Sequence, residues 1–165
     1  MKTSDDLFLH FLQDIYYAER QILKALPKMT KAAQSAKLKQ AFVTHHEETQ
    51  HQVERLQQVF EAVGKRAKGV TCEAIQGLIE EGEEVVNEFE QGAVRDAGLA
   101  ACAQAIEHYE MARYGALIAW AKAAGHDNVV SLLETTLAEE KKADGLLNQI
   151  ANDEVNPAAV AKKAA

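Results

Sequence analysis

The 165-residue sequence has few of the residues that interrupt helices, since it contains only two prolines and nine glycines. Alanine, leucine, glutamate, glutamine and lysine are plentiful, and this mixture favours helix over strand. Hydrophobic residues make up 47% of the chain, which is enough to build the core of one domain of ordinary size. We therefore predict an all-α protein that forms a single domain over residues 1–165.

Cysteine, clustered positive charge and long apolar runs are also scarce, and each absence argues against a class of protein. Cys72 and Cys102 are the only cysteines and have no zinc or redox spacing, so a reducing compartment is the simpler interpretation, although the two could still pair. The net charge is −7 without any basic cluster, which argues against nucleic acid and anionic membrane surfaces as partners. No apolar run approaches about 18 residues, and no signal-peptide pattern opens the chain. We expect a soluble, cytoplasmic protein.

Apolar residues recur with a helical period over four long segments, which predicts four amphipathic helices. Ser4 should cap the first helix, and Pro27 should bend that helix or loosen one of its turns. Asp127 or Asn128 should cap the last one. Gly64 and Gly125 are expected to end the second and third long helices. The second, third and fourth long helices are expected over roughly 37–63, 94–124 and 129–151.

The order of these segments predicts a ferritin-like four-helix bundle. The first two helices and the last two have very short connections, so each pair should form an antiparallel hairpin. Between the hairpins lies a crossover of roughly thirty residues, which should contain an extra, shorter helix over about 71–90. A simple up-down bundle does not need such a crossover, whereas a ferritin-like one does. The tail from about residue 152, with Pro157, is expected to be frayed.

Each long helix places a carboxylate on or near its apolar face. Glu140 lies about 10° and Glu19 about 40° from the centres of their faces. Glu110 lies near the centre of the third long helix with Glu107 to one side, and Glu48 falls within about 60° of the centre of the second. Burying a lone carboxylate costs several kcal/mol unless its charge is cancelled. Metal ions held between the helices would cancel these charges.

Taken singly, each of these glutamates could instead be a boundary residue whose carboxylate reaches water. Taken together, they favour a metal centre, because all of them lie near the middle of a helix. Antiparallel hairpins can bring such positions to one level of the bundle.

The second helix offers two candidate nitrogen ligands. Glu48 and His51 have the Glu-x-x-His spacing of carboxylate-bridged bundles, but His51 lies about 120° from the apolar centre and could simply face solvent. His45 points inward, so it is the rival ligand, or else a core histidine bonded to a neighbouring carboxylate or backbone group. The last helix has Ala143 where a second such motif would need histidine, and Asp144 could substitute as a ligand or bond to one. Carboxylates with one or two imidazoles suit iron or manganese.

Four tyrosines lie near the acidic positions, namely Tyr16, Tyr17, Tyr109 and Tyr114. They could donate hydrogen bonds to a redox metal site or quench radicals there. The ordinary interpretation is that they are packing residues with a tethered hydroxyl group.

The ordered motifs of the whole chain resemble the YciF/YciE stress-protein family, which is similar in fold to rubrerythrin and other ferritin-like proteins. The resemblance rests on Tyr17-Ala18-Glu19-Arg20-Gln21, His45-x-x-Glu48-Thr49, Gly77-Leu78-Ile79-Glu80-Glu81, Glu107-His108-Tyr109-Glu110 with Tyr114-Gly115, and Glu139-Glu140-Lys141 with Asp144. It implies a four-helix bundle with a di-metal centre that forms a homodimer.

The resemblance to rubrerythrin can be carried over only where residues match. Its carboxylate positions correspond to Glu19, Glu48, Glu107, Glu110 and Glu140, and one of its histidines corresponds to His51. The second histidine is missing at Ala143, and no rubredoxin-like cysteine module is present.

We interpret the chain as a stress-response protein with two metal ions, iron before manganese, whose small oxidant would be peroxide or oxygen. In this interpretation Glu48 and Glu140 bridge the ions, while Glu19, Glu107 and Glu110 are terminal or semi-bridging ligands. The alternative is a non-enzymatic structural or interaction bundle in which the metal only supports the fold. A storage cage is disfavoured, because no fifth helix of the ferritin type is evident. The sequence leaves open whether the protein is an enzyme.

Overall fold

The computed structural model describes residues 1–161, and within this range it contains helices and no strand. The helices are α1 (Ser4–Ala32), α2 (Ala36–Ala62), α3 (Glu73–Glu88), α4 (Ala93–Ala124), α5 (Asp127–Ile150) and α6 (Asn156–Ala161), with a π-helical turn (Ala151–Val155) between the last two. The all-α prediction is therefore confirmed. Among the helices of residues 1–161, none combines the length and the hydrophobicity that a membrane crossing requires.

Four long helices form the bundle, and α3 lies on its outside. The first hairpin is α1 with α2 and the second is α4 with α5, each joined by a short turn. The hairpins meet where α2 packs against α5 and α1 packs against α4. The crossover helix α3 covers one side of α4 and α1. This arrangement confirms the predicted ferritin-like bundle with an extra helix in its long crossover.

The helix ends differ from the sequence prediction in their capping residues. Thr3, and not Ser4, caps α1 in a reciprocal capping box with Asp6. His126 precedes α5 without a side-chain capping bond, so neither Asp127 nor Asn128 caps that helix. Gly64 and Gly125 follow α2 and α4 with φ of 68° and 73°, a left-handed conformation that favours glycine.

Pro27 does not interrupt α1, which stays helical from Ser4 to Ala32. The proline is exposed, so the backbone carbonyl that loses its hydrogen bond lies on the solvent side of the helix.

The segment that was expected to fray from about residue 152 is helical as far as Ala161. The π-helical turn continues from α5, and its Val155 is only 2% exposed. Glu154 accepts a 2.5 Å hydrogen bond from the Ser35 hydroxyl and lies 3.1 Å from Lys37 Nζ, which ties this segment to the start of α2. The rest of the predicted tail, residues 162–165, lies outside the described residues.

Candidate metal centre

The middle of the bundle brings together one histidine and four glutamates from its four long helices. Glu19 comes from α1, His45 from α2, Glu107 and Glu110 from α4, and Glu140 from α5, and each is at most 6% exposed. Glu107 and Glu110 share one face of α4 because residues three apart do so in any α-helix. Apolar residues on the same faces carry these side chains into the core, which is why the sequence folds them inward.

Four of these side chains form a compact cluster. One potential ligand atom each from His45, Glu107, Glu110 and Glu140 lies within 4.8 Å of the other three. His45 Nε2 is 3.2 Å from Glu107 Oε1 and 3.9 Å from Glu140 Oε2. On its other side, His45 Nδ1 is 3.8 Å from Glu48 Oε2. The imidazole therefore stands between carboxylates of three helices.

Glu19 lies beside this cluster and is held by a tyrosine. The Tyr114 hydroxyl donates a short hydrogen bond to Glu19 Oε1, and both side chains are fully buried. The other oxygen, Glu19 Oε2, has no hydrogen-bond partner among residues 1–161. Tyr114 is thus one of the acid-facing tyrosines that the sequence suggested, and the bond fixes the direction in which Glu19 points.

Burial and neighbouring charges raise the pKa of each of the four buried glutamates around His45. Burial raises the pKa of Glu19 to about 7, although the bond from Tyr114 opposes the shift. The pKa values of Glu110 and Glu140 are raised well above the ordinary value, first by burial and then by neighbouring carboxylates. Burial also raises the pKa of Glu107, against the attraction of His45. The metal-free cluster therefore holds protons at neutral pH.

The pKa of His45 is raised and the pKa of Glu48 is lowered, and both shifts favour the charged forms of the two side chains. Burial lowers the pKa of His45, but the carboxylates of Glu107, Glu48 and Glu19 outweigh it, and the net shift is upward. The contact with His45 lowers the pKa of Glu48, which is only partly buried.

Unpaired oxygen atoms show how poorly protein groups alone satisfy this site. Among residues 1–161, the buried atoms without a hydrogen-bond partner include Glu19 Oε2, Glu107 Oε2, both oxygens of Glu110 and of Glu140, and both nitrogens of His45. Four ionised carboxylates would carry a charge of −4, of which a protonated His45 could cancel only one unit. Such groups need protons or cations. A donor set of carboxylate oxygens with one imidazole fits iron or manganese.

The structure places the other predicted ligands away from the cluster or at its rim. His51 is exposed and lies 3.4 Å from Glu54 Oε2, so it does not join the buried group. Asp144 is at the rim, 3.2 Å from His108 Nε2 and 3.3 Å from Gln104 Nε2. Glu48 is at the edge, 3.6 Å from Lys142 Nζ. The geometry therefore favours His45 over His51 as the nitrogen ligand.

A polar group next to the cluster carries contacts that the sequence analysis did not predict. Arg55 donates to both oxygens of Glu139, at 2.6 and 2.7 Å, and to Thr136 Oγ1 at 2.9 Å. Gln52 is fully buried and donates to the same carboxylate at 3.1 Å. Glu139 raises the pKa of Arg55. The only signal in the sequence was Gln52, a polar residue at the centre of an apolar face.

Asp96 is a buried carboxylate of α4 that serves the fold, and no pattern in the sequence predicted it. It is 2% exposed, and its two oxygens accept 2.7 Å hydrogen bonds from the backbone N–H groups of Gln34 and Ser35. These groups lie at the turn between α1 and α2, where backbone donors would otherwise lack partners.

Comparison with known proteins gives one consistent result. A family model described as "Domain of unknown function (DUF892)" matches residues 3–160. The chain is 46% identical to Protein YciF of Escherichia coli (strain K12) over 157 residues, which cover 94% of this chain and 95% of that protein.

Solved structures agree in fold. The structure of the E. coli stress protein YciF has a TM-score of 0.90 at 46% identity, covering 94% of this chain and 99% of that one. The structure of YcfI from Rhodopseudomonas palustris has a TM-score of 0.89 at 54% identity, covering 91% of this chain and 96% of that one.

Proposed function

The chain belongs to the family described as a domain of unknown function (DUF892), and from that premise we propose that it is a di-metal carboxylate protein of the stress response. Iron is the first candidate metal and manganese the second. One observation carries the proposal, namely the buried carboxylate oxygens around His45 that have no hydrogen-bond partner among residues 1–161. Two divalent cations would supply the positive charge that these side chains need.

The proposed ligands are the carboxylates of all four long helices and one imidazole. Glu48 and Glu140 are the candidate bridging ligands, with Glu19, Glu107 and Glu110 terminal or semi-bridging. The side chain of His45 lies between Glu48 and Glu107, which supports it as the nitrogen ligand. Asp144 lies at the rim of the cluster, where it contacts His108 and Gln104. It is therefore better placed to orient the ligands than to bind a metal ion.

A ferrous pair bound here would supply electrons to a small oxidant, either peroxide or oxygen. The residues of the chain prepare the site for that chemistry by fixing ligands and excluding water. Tyr114 holds Glu19, and the surrounding core keeps the cluster away from bulk solvent. The raised carboxyl pKa values mean that metal binding must release protons.

The first test is elemental analysis of protein purified without oxygen and then loaded with ferrous iron. We expect two ions per chain and a change in absorbance when peroxide or oxygen is added. Glu140→Gln should lose much of the metal, because it removes a charged ligand from the cluster. Glu139→Gln is the matched control on the same helix, and it should keep the metal, because Glu139 is bonded to Arg55. A wild-type chain that binds no metal under these conditions would overturn the proposal.

The alternative function is a bundle whose metal only supports the fold. Two observations favour it: protons alone can neutralise the cluster, as the raised pKa values show, and the related YcfI carries a provisional description as a structural protein. The same Glu140→Gln variant separates the two functions. A redox protein should lose turnover while it stays folded, whereas a structural site should lose melting temperature together with its metal.

The homodimer and the cytoplasmic location that the resemblance implies are also proposals. Gel filtration with light scattering tests the first, and cell fractionation tests the second.

A further inference from the structure

A cleft of about 230 Å³ lies on the flank of the bundle, between the crossover helix α3 and the helices α1 and α4. Three of its polar lining side chains, Lys28, Glu83 and Asn87, are exposed, and the fourth is the half-buried thiol of Cys102. Apart from this thiol, the cleft is therefore polar only at its rim. Its walls are apolar side chains, namely Ala25, Met29, Leu78, Ile79, Val86 and Ile106.

A glycine of α3 keeps the cleft open. Gly82 is buried and forms part of the wall. A Cβ atom added at this position would lie 3.9 Å from Cβ of Cys102, which is an ordinary contact distance, so close packing does not require glycine here. Glycine also weakens the interior of a helix relative to alanine. The helix thus carries a residue that costs stability at a position where a larger one would reduce the cleft.

The volume and the walls of the cleft suit a single aromatic ring. An apolar cavity of about 150 Å³ holds benzene. A cleft of about 230 Å³ therefore has room for one ring with a few substituent atoms. Two of the lining side chains, Met29 and Cys102, contain sulfur. Thioether sulfur makes favourable contacts with aromatic rings, which favours an aromatic occupant over an aliphatic one.

The rim selects the polar group of the occupant. Lys28 Nζ is 3.0 Å from Glu83 Oε1, and both side chains are more than half exposed. Such a pair contributes little stability, so a ligand can join it at small cost. A carboxylate ligand would be repelled by Glu83, and an ammonium ligand would be repelled by Lys28. A hydroxyl group suits both residues, since its oxygen accepts a hydrogen bond from Lys28 and its hydrogen is donated to Glu83.

We propose that this cleft binds a neutral monocyclic phenol, with the ring between the apolar walls and the hydroxyl group at the Lys28–Glu83 pair. None of the five side chains of the buried cluster, Glu19, His45, Glu107, Glu110 and Glu140, lines the cleft. The proposal therefore goes beyond the proposed function and does not depend on it.

Calorimetric titration of the full chain with 4-methylphenol, toluene and 4-methylbenzoate tests the class of ligand. We expect 4-methylphenol to bind about tenfold more tightly than toluene, which is the effect of about one net hydrogen bond. The benzoate should bind more weakly than the phenol, because its carboxylate meets Glu83. The proposal is overturned if 4-methylphenol shows no saturable binding, or if toluene or 4-methylbenzoate binds as tightly as the phenol does.

A substitution at Gly82 tests the location. Gly82→Leu should fill the cleft and weaken the binding of 4-methylphenol by at least about tenfold. Gly77→Leu is the matched control, because Gly77 is exposed on the same helix and no other helix of residues 1–161 comes within 4 Å of its added Cβ atom. Both variants replace a helical glycine, so a difference between them reports on the cleft. Wild-type affinity in Gly82→Leu would contradict the proposal.

The rim is tested by Glu83→Ala, which keeps the apolar walls and removes the acceptor of the hydroxyl group. The preference for 4-methylphenol over toluene should fall from about tenfold to about threefold or less, while the affinity for toluene stays the same. Glu84→Ala is the control, because Glu84 is the next exposed residue of α3 and does not line the cleft. An undiminished preference in Glu83→Ala would rule out the proposed position of the hydroxyl group.

The thiol of Cys102 reports on occupancy of the cleft. At roughly ten times its Kd, 4-methylphenol should slow the alkylation of Cys102 by iodoacetamide about tenfold, as measured by peptide mass spectrometry. Cys72 is the internal control: it is 2% exposed, lies 3.0 Å from the Tyr109 hydroxyl and does not line the cleft. Its alkylation should not respond to the ligand. If saturating 4-methylphenol leaves the alkylation rate of Cys102 unchanged, then the ligand does not bind in this cleft.

Discussion

Two regions of this protein bury carboxylates, but only one of these regions supplies hydrogen-bond donors to them. At the turn between α1 and α2, Asp96 receives one backbone N–H on each oxygen, at 2.7 Å. In the middle of the bundle, Glu110 and Glu140 have no hydrogen-bond partner for any of their oxygens among residues 1–161. The first carboxylate stabilises the fold by itself. The second group needs protons or cations to offset its charge.

The comparison shows why burial alone does not identify a functional carboxylate. Asp96 and Glu107 are both 2% exposed and lie on the same helix, yet only Glu107 belongs to a cluster of unsatisfied, like-charged groups. A structural carboxylate is recognised by the donors that surround it. A ligand is recognised by the absence of such donors together with the presence of other ligands.

The largest expected effect is the pH dependence of the metal-free protein. Carboxyls whose folded pKa lies above the unfolded value stabilise the fold below the unfolded value and lose that contribution as pH rises through the folded value. For Glu19, with a pKa of about 7 against 4.5, the expected loss is roughly 3 kcal/mol. Glu107, Glu110 and Glu140 act in the same direction. Urea unfolding from pH 4.5 to 8 in a chelator measures the decline.

Other groups and a variant sharpen this prediction. His45 contributes in the same direction, because its pKa is also raised, whereas the lowered pKa of Glu48 contributes stability that is lost only on acidification below its usual range. Glu110→Gln should flatten the decline, since it removes one of the groups whose pKa is raised in the folded protein. Metal-loaded protein should show the opposite slope, because deprotonated ligands bind more tightly. A flat curve for the metal-free wild type would contradict the assigned pKa shifts.

The next effect concerns Asp96 and should not depend on metal. Asp96→Ala leaves the N–H groups of Gln34 and Ser35 without their partner, and we expect a loss of about 3 kcal/mol in the free energy of unfolding. The loss should be the same in chelator and in excess metal, at unchanged metal content. Asp127→Ala, at an exposed position, is the control and should change stability little. A metal-dependent loss in Asp96→Ala would remove the distinction between the two regions.

These two regions also show what the sequence could and could not predict. The helical phase of Glu19 and Glu140 was enough to place them in the core, because both lie close to the centres of strongly apolar faces. For the imidazole, spacing suggested His51 and phase suggested His45, and the structure buries His45 while His51 stays exposed. Phase was the better guide, because it follows the packing of the whole helix, whereas a four-residue motif recurs by chance.

Helical phase and motif spacing could not predict contacts between distant parts of the chain. Asp96 meets Gln34 across 62 residues, and Glu154 meets Ser35 across 119. Neither pair has a period or motif, and both residues look like ordinary surface acids in the sequence. The ion pair of Arg55 with Glu139 is hidden for the same reason. Only the folded bundle brings these partners together. The helices could therefore be predicted from the sequence, whereas the hydrogen bonds and ion pairs between them could not.

The smallest expected effect comes from adding a ligand. Ala143 stands three residues after Glu140 and lines a pocket that also contains His45 and Glu107. Ala143→His would complete a second Glu-x-x-His pair and place an imidazole at the edge of the cluster. We expect metal affinity to rise by about tenfold, equivalent to about 1.4 kcal/mol, in a chelator competition assay. Ala143→Gln is the control of similar size, and it should leave the affinity near that of the wild type. If Ala143→His binds metal no better than Ala143→Gln, then position 143 does not face the ion, and the ligands must lie nearer to Glu19 and Tyr114.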